Sequence, residues 1–432
     1  MNALTYISRL VVGSLFIVSG LIKANDPVGF SYKLQDYFAP DVLNLEFLVP
    51  YVLPMAVLIC AIEIVLGVAA LFGSKMKLVS WMLLLMIVFF TFLTFYSAYF
   101  EKVTDCGCFG DALKLTPWES FTKDLILLVF VLIIFVRKGA IVVNTRKDDM
   151  MLLPASIVLI AIFSYGVISW GFPVYFSIFL FLAVWLLKNQ EKLRGKFAMV
   201  AFGVPAVVSL LFSAYVLMHL PIRDFRPYAI VEPYDLDKSM QRHMESPEGA
   251  PIDVYENIWL YKDREGNTNK YTDAHKPWED TTLVFIDRET ILISKGYEPP
   301  IHDFSIANMD GEDFTDVFVS DSAGYVFLII AYDITNENNV DASEKVNALA
   351  AKSMENKMAF IGLTSSLYEN VEQFRHDVQA GYDYYVTDEK TLQTIIRSNP
   401  GLMLIHNGVI VGKWHYKDIP DYAEIEELIS KS

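Results

Sequence analysis

The chain has 432 residues, of which 53% are hydrophobic, and its mean hydropathy of +0.35 argues against an ordinary soluble globular protein. Residues 1–219 contain 16 Lys and Arg against 13 Asp and Glu, whereas residues 220–432 contain 19 against 38. The net charges of these halves are therefore +3 and −19. Because phosphates are repelled by an acidic domain, we expect no nucleic-acid binding. The sequence predicts a polytopic membrane bundle followed by an acidic, water-soluble domain.

Seven apolar segments are candidates to cross a hydrocarbon core ~30 Å thick as helices. They comprise residues 4–22, 52–72, 78–99, 121–136, 150–170, 172–187 and 197–220. The fourth and sixth are short, and Gly171 and Pro173 predict a tight helical hairpin between the fifth and sixth. A signal peptide is the less favoured alternative for the first segment, because Arg9 lies inside its apolar run and no small-residue cleavage site follows.

Loop charge predicts the orientation, since cytoplasmic loops attract Lys and Arg. Cations concentrate in the loops after the second, fourth and sixth segments: Lys75, Lys77, Arg137, Lys138, Arg146, Lys147, Lys188, Lys192, Arg194 and Lys196. The alternate loops hold Lys23, Lys33, Lys102 and Lys114, with Lys123 at a helix start. We therefore expect a bacterial inner-membrane protein in contact with lipid, with a cytoplasmic N-terminus and a periplasmic C-terminal domain.

Composition and pattern divide the chain into four predicted parts. Residues 1–140 form a four-helix membrane unit, 141–220 add three transmembrane helices, 221–300 form a β-rich connecting module of unknown role, and 301–432 form an α/β domain. In the module, strands are predicted within 257–271 and 282–294. In the last part, a short hairpin at Asp310-Gly311 precedes strands at 325–331, 358–364, 382–386, 402–406 and 409–415, with helices at 342–355, 368–378, 388–397 and 422–430.

This order of elements, with Asn399-Pro400 directly before a strand and a hairpin, resembles the thioredoxin-like fold, nearest its peroxiredoxin and membrane-anchored thiol-reductase branch. The resemblance implies a cis-proline at Pro400. It also implies a Cys-x-x-Cys after the first core strand in redox-active members, but that place reads Ala331-Tyr332-Asp333-Ile334-Thr335, and no cysteine follows Cys108. This domain cannot exchange disulfides by itself, so we expect it to bind a partner.

A Cys-Gly-Cys motif lies in the loop between the third and fourth segments. Cys106 and Cys108 can close a very small, strained disulfide ring, and strain makes a disulfide easier to reduce. Gly107 supplies the backbone freedom that such a ring needs. We favour a redox role for this pair. A permanent structural clip, two free thiols and half of a metal site stay open, although no His or further Cys lies nearby to complete a zinc site, so no metal is predicted.

Ionisable residues also occur inside the predicted spans. Glu63 lies well within the second segment and Arg9 within the first, and unpaired charges in lipid are costly. We hypothesise that Glu63 pairs with Arg9, either to fix helix packing or to let Glu63 handle protons for thiol or quinone chemistry. Cys60 is expected to be a small core residue. Lys23 and Asp26 end the first segment and are expected to anchor the interface or cap a cavity.

Residues 1–140 resemble the DoxX/MauE family of four-helix bacterial membrane proteins. The matching features are Arg9, Ser19-Gly20-Leu21-Ile22-Lys23 with Asp26-Pro27, Glu63 with Gly67, and Cys106-Gly107-Cys108-Phe109-Gly110. With its extra spans and thioredoxin-like tail, the whole arrangement resembles a Bacteroidota variant of that family. The MauE branch implies methylamine utilisation and help in forming disulfides of a periplasmic dehydrogenase subunit beside a thioredoxin-like partner. Nothing in this sequence indicates methylamine as a substrate.

These observations predict a part in periplasmic thiol–disulfide redox, or in the maturation of a periplasmic or envelope client, through Cys106 and Cys108. A quinone is the candidate electron acceptor. The alternative is a non-enzymatic membrane-anchored scaffold whose thioredoxin-like domain binds an envelope partner. A third interpretation is a bundle that binds a small solute or a quinone, with Glu63 and Arg9 lining a cavity.

Overall fold

The computed structural model describes residues 3–102, 107, 109–190 and 195–431, and its N-terminal half is a helical bundle. In chain order the helices of this half are α1 (Ala3–Asn25), α2 (Pro27–Phe38), α3 (Val52–Phe72), α4 (Met76–Phe100), α5 (Pro117–Arg137), α6 (Arg146–Gly166), α7 (Phe172–Lys188) and α8 (Phe197–Met218). All of them except α2 coincide with the predicted apolar segments.

Length and composition suit these helices to a membrane. Within the described ranges, five helical stretches are long and apolar enough to span it: Ala3–Asn25, Glu46–Phe72, Met76–Phe100, Arg146–Gly166 and Phe197–Met218. Helix α7 is equally apolar but shorter, and α5 carries Glu119, Lys123 and Asp124 in its first turns. Large apolar side chains such as Leu85 and Phe92 face outward and are exposed, as lipid-facing side chains are. The chain is a membrane protein.

Helices α1 and α3 form the centre of the bundle, because glycines let their backbones come close. A Cβ atom on Gly13 would lie 2.5 Å from Leu71 Cγ, and one on Gly67 would lie 2.7 Å from the carbonyl oxygen of Gly13. Glycine is therefore required at both positions. The contact is apolar on either side of them, with Val12 and Leu66 fully buried.

The predicted pairing of Glu63 with Arg9 is wrong. The Arg9 guanidinium donates to the carbonyl oxygens of Ala70 (2.9 Å) and Leu71 (2.8 Å) and to Asn144 Oδ1 (2.6 Å). It thus satisfies carbonyls at the C-terminal end of α3, where helix carbonyls lack intrahelical partners. Fourteen residues separate Arg9 from Lys23 on α1, about 21 Å along a helix axis, and Lys23 is the residue that reaches Glu63.

Helix α2 is absent from the sequence predictions. Its start has a clear chemical signal: Asp26 accepts a hydrogen bond from the backbone N–H of Gly29 (2.8 Å), and Pro27 occupies the first helical position. The helix has only 12 residues and a mixed composition, so its apolar content did not identify it. It places Tyr32 and Lys33 on the side of the membrane where the C-terminal domain lies, which we call the domain side.

The connecting module contains a short helix, α9 (Met240–Met244), and strands β1 (Val254–Lys262), β2 (Thr268–Thr272) and β3 (Val284–Ser294). The strands form an antiparallel sheet in the order β2-β1-β3. The strands predicted within 257–271 and 282–294 are confirmed. Gly266, at φ +91°, occupies the turn between β1 and β2, where a residue with a side chain would be strained.

The C-terminal part contains α10 (Thr315–Val319), β4 (Tyr325–Ile330), α11 (Glu337–Glu355), β5 (Ala359–Thr364), α12 (Tyr368–Val378), β6 (Tyr384–Val386), α13 (Glu389–Ile395), β7 (Gly401–His406), β8 (Val409–His415) and α14 (Tyr422–Lys431). Helix α11 begins before its predicted start because Asn336 caps it. The hairpin predicted at Asp310-Gly311 is reduced to an isolated bridge between Ala307 and Asp313, because α10 follows directly.

The second sheet has the order β6-β5-β4-β7-β8. Strands β4, β5 and β6 run parallel, and β7 and β8 are antiparallel to their neighbours. Alternate β4 residues enter separate cores on the two faces, with Leu328 on one face and Phe327 on the other. The Asn399–Pro400 peptide bond is cis. The predicted thioredoxin-like fold and its cis-proline are confirmed.

Arg9 offers a test of the bundle. Replacing Arg9 with Met removes the donor to the buried Ala70 and Leu71 carbonyls, and we expect a loss of about 2–3 kcal/mol, since unsatisfied buried acceptors are costly. The apparent melting temperature of the purified chain in detergent measures it. Arg137→Met, which removes an exposed cation from the end of α5, is the matched control and should change stability by less than about 0.5 kcal/mol. Equal losses for both variants would contradict the helix-end role of Arg9.

Candidate functional site

The intramembrane carboxylate Glu63 forms an ion pair with Lys23, and both side chains are almost fully buried. Ser19 hydrogen-bonds Glu63 as well. The ammonium of Lys23 also lies over the rings of Phe90 (4.8 Å) and Phe30 (5.1 Å), which contributes cation–π attraction. The second carboxylate oxygen, Glu63 Oε2, has no hydrogen-bond partner among the described residues. Cys60, one turn away, is buried, as predicted.

Gly107, the central residue of the Cys-Gly-Cys motif, lines a small cavity together with Lys23 of this pair. Cys106 and Cys108 themselves lie outside the described residues. Gly107 is buried at φ +64° against Lys33 of α2, and a Cβ atom there would come within 3.0 Å of Lys33 Cγ. Phe109 is buried in the bundle and packs against Phe163 (ring centroids 5.3 Å apart). On the domain side, Gly107 therefore lies against α2, and Phe109 packs into the bundle core.

Arg397 joins the C-terminal domain to the membrane unit. Its Nε lies 2.9 Å from Asp26 Oδ2, its Nη2 lies 3.4 Å from Asp111 Oδ2, and its guanidinium stacks 5.4 Å from the Tyr32 ring centroid. Burial lowers the pKa of Arg397, but the two carboxylates outweigh it and raise that pKa above its usual value. One buried cation, two residues beyond the end of α13, thus ties the domain to the start of α2 and to Asp111 after the cysteine motif.

The loop where redox-active thioredoxin-like domains carry cysteines also lies at this junction. The hydroxyl of Tyr32 in α2 shares a hydrogen bond with that of Tyr332, the second residue after β4. Asn399, before the cis-proline, donates to the carbonyl oxygen of Asp333 (2.8 Å), and Ser365 donates to that of Tyr332 (2.6 Å). The face beside the cis-proline is therefore turned toward α2.

Charged contacts anchor the segment that leaves α8 to the domain. Asp224 accepts from Arg226 (2.7 Å) and from Lys413 of β8 (2.7 Å), and Arg226 also donates to the Thr394 carbonyl oxygen (2.8 Å). Burial would raise the pKa of Asp224, but these two cations hold it well below its usual range. Burial lowers the pKa of Lys413 to about 8. Nearby, Asn25 at the end of α1 donates to the Arg223 carbonyl oxygen (2.8 Å).

A cavity of about 340 Å³ lies between the two units. Its floor includes Lys23 and Asp26. On the domain side it is lined by Lys390 and Gln393 of α13 and by Arg397, which follows that helix. Gly110 and Asp111, which follow the cysteine motif, line it as well. The cavity therefore lies between the residues after the motif, Lys23 of the buried ion pair and the docked domain. No cluster of three His, Cys, Asp or Glu residues arranged for a metal ion occurs in the part of the chain that the structure describes.

The structure brings Lys23, Asp26, Glu63 and Gly107 together on the domain side, with Pro400 on the domain that covers them, whereas Arg9 lies at the opposite end of the bundle. Sequence reasoning missed Arg397, Tyr32 and Asp111. No local pattern marks Arg397, because its partners lie hundreds of residues earlier in the chain. The Asp-Pro helix start at residues 26–27 could have revealed α2, and so Tyr32.

Fold and site together define a class of protein: a membrane bundle whose polar end is covered by a thioredoxin-like domain without cysteines. Residues 1–137 match the family model described as "Methylamine utilisation protein MauE". This match confirms the predicted resemblance for the membrane unit, over about a third of the chain. No curated protein matches the chain.

Two solved structures each align with 30% of the chain. One is a secreted disulfide oxidoreductase of Mycobacterium tuberculosis, with 9% identity, a TM-score of 0.24 and 96% of that chain covered. The other is a Bacteroides thetaiotaomicron protein, described as a candidate protein disulfide isomerase, with 19% identity, a TM-score of 0.24 and 84% covered. The sheet order and the cis-proline described above define the fold.

The Arg397–Asp26 pair gives a direct test of the junction. Asp26→Asn keeps the cap of α2, since Asn is also a good N-cap, but removes the charge. We expect Arg397→Gln and Asp26→Asn each to lower the melting temperature. The double variant should be only slightly less stable than either single variant, which corresponds to a coupling energy between the two residues on the order of 1–3 kcal/mol. The exposed Lys352–Glu355 pair is the control and should give a coupling under about 1 kcal/mol. Additive losses at Arg397 and Asp26 would show that the pair does not hold the units together.

Proposed function

We propose that the protein is a membrane thiol–disulfide exchange protein that uses Cys106 and Cys108 to oxidise thiols of an envelope client. The match of residues 1–137 to the MauE family, whose model covers the Cys-Gly-Cys motif, supports a common role for this unit. The observation that carries the proposal is the conformation of Gly107. Its φ of +64° lies in the region where glycine is favoured, and a tight turn between two cysteines needs such a residue.

The proposed exchange oxidises the client in two steps, after which the motif is reoxidised. A client thiolate attacks one sulfur of the Cys106–Cys108 disulfide, and a mixed disulfide forms while the other cysteine leaves as a thiolate. A second client thiol resolves the mixed disulfide, so the client gains a disulfide and the motif becomes two thiols. Reoxidation of the motif passes two electrons and two protons to an acceptor. We propose a lipid-soluble quinone, which becomes a quinol, as that acceptor, because the motif adjoins a membrane bundle.

In this proposal the C-terminal domain positions the reaction and does not perform it. It carries no cysteine, and its cis-proline face is directed at α2 through Tyr332 and Arg397. The client approaches the motif beside the docked domain, from the side that we infer to be periplasmic, where disulfides persist. The N-terminus is cytoplasmic in this arrangement.

Cysteine variants test the proposal. One of the single variants, Cys106→Ser or Cys108→Ser, should accumulate a mixed disulfide with the client. Its remaining thiolate attacks the disulfide of the oxidised client and one client thiolate leaves, but the second motif cysteine that would resolve the product is absent. The double variant should trap none. Cys60→Ser is the matched control, because Cys60 is buried, and should behave as the unaltered protein. Non-reducing gels of cells quenched with acid and alkylated with a maleimide measure the mixed disulfide.

A contrary result would favour a different function. If neither variant traps a client and client oxidation is unchanged, while deletion of residues 221–432 still abolishes function, the protein is a membrane-anchored scaffold. The absence of cysteines from the docked domain favours that second candidate over a two-centre redox relay. A membrane-impermeant maleimide in the same experiment tests the inferred sidedness, because it should label the reduced pair from the periplasmic side.

A further inference from the structure

We propose that Glu63 is an internal proton-binding site that exchanges protons with water on the domain side only, by way of Lys23 and the cavity beneath the C-terminal domain. The inference deepens the proposed function, since the oxidation of thiols beside the bundle releases protons that must reach an acceptor or water. The observations that support it involve residues other than the cysteines.

The first observation is the position of Lys23. Its side chain lines the junction cavity of about 340 Å³, a smaller cavity of about 40 Å³ that also contains Glu63, and a third of about 10 Å³ beside Gly107. Lys23 therefore separates bulk water in the junction from the carboxylate inside the bundle. A lysine ammonium has three N–H donors, so it can hold Glu63 on one side and water on the other.

The second observation is the free oxygen of Glu63. Oε2 has no hydrogen-bond partner among the described residues, although the side chain is more than nine-tenths buried and lines the 40 Å³ cavity. A buried polar atom without a partner is costly. About 10–15 Å³ suffices for one water, and a water here has Glu63, Ser19 and Lys23 as polar partners. We infer that the small cavity holds water, which donates to Oε2 and delivers protons to it.

Charged and polar groups near Glu63 come from α1, α3, α4 and α5. Ser19 and Lys23 come from α1, Cys60 from α3 itself, Thr94 from α4, and Lys123 and Asp124 from α5. Asp124 differs from Glu63, because both of its oxygens have partners: Lys123 (2.6 Å) and Thr94 (3.2 Å). Glu63 is thus the carboxylate in this group with an oxygen available to a proton.

The path toward the opposite side is closed by packing. Below Glu63, α1 and α3 touch at Gly13 and Gly67, and Val12, Leu66 and Ala69 are fully buried between the helices. The cavity that contains Glu63 is not lined by Arg9 or by its partner Asn144. A proton that enters from the junction binds the Glu63 carboxylate, leaves the Lys23 ammonium as the remaining charge, and departs by the same route.

Infrared difference spectroscopy of the full chain in sealed proteoliposomes of known orientation tests this inference. The carbonyl band of a protonated carboxyl should appear when the pH on the domain side is stepped down, and should be missing in Glu63→Gln. Asp149→Asn removes a buried carboxylate at the opposite end of the bundle, paired with Lys188, and should keep the band. Lys23→Met should slow hydrogen–deuterium exchange of the carboxyl at least tenfold, and Lys23→Arg should restore it.

A second set of outcomes would overturn the inference: a band that responds only to pH on the Arg9 side, a band that survives in Glu63→Gln, or no change in Lys23→Met. Circular dichroism and elution of a single species confirm that each variant is folded. Lys23→Gln, which also lacks the ammonium group, replaces Lys23→Met if that variant is not folded. All measurements are repeated with both Cys106 and Cys108 replaced by Ser. An unchanged band there supports the proton site even if the cysteine variants disprove thiol exchange.

Discussion

The junction between the membrane unit and the C-terminal domain depends on one buried cation. Arg397 contacts Asp26 and Asp111 of the membrane unit and stacks on Tyr32, so its guanidinium replaces water with fixed, charged partners. Two surfaces separated by more than 280 residues of chain meet there. The position of the residues after α13 above α2 depends on this contact, together with the hydrogen bond between Tyr32 and Tyr332. The cavity and the direction of the cis-proline face depend on that position.

The buried charges of the bundle have different functions at its two ends. At the Arg9 end, Arg9, Asn144, Asp149 and Lys188 satisfy one another and the end of α3. None of these four residues lines the cavities at the domain side, and their role is to fix the ends of helices. At the domain side, the Lys23–Glu63 pair leaves one carboxylate oxygen free beside a cavity. A buried polar atom without a hydrogen-bond partner destabilises the fold, so its presence indicates a role other than stability. We therefore assign the proposed proton binding to the domain side.

Much of the architecture could be predicted from the sequence because it depends on local patterns of residues. The apolar runs located the spanning helices, and the order of strands with Asn399-Pro400 indicated the thioredoxin-like domain. Contacts between distant parts of the chain carry no such signal. The partner of Glu63 was misassigned to Arg9 because two charges in neighbouring spans suggest a pair, but depth in the membrane decides it, and Lys23 lies at the depth of Glu63. The roles of Arg397 and Tyr332 depend on their contacts with α2, which only the folded structure reveals.

The most direct test of the account is whether Tyr332 lies on α2 in the membrane. Tyr32→Cys and Tyr332→Cys would be combined in a chain whose three cysteines are replaced by Ser, with a protease site in the connecting module and a thiol cross-linker about 10 Å long. The account predicts that the two fragments stay joined after proteolysis. A control with Met354→Cys, at the far end of α11 and about 25 Å away along that helix, should separate. Fragments that separate equally in both chains would contradict the docked arrangement.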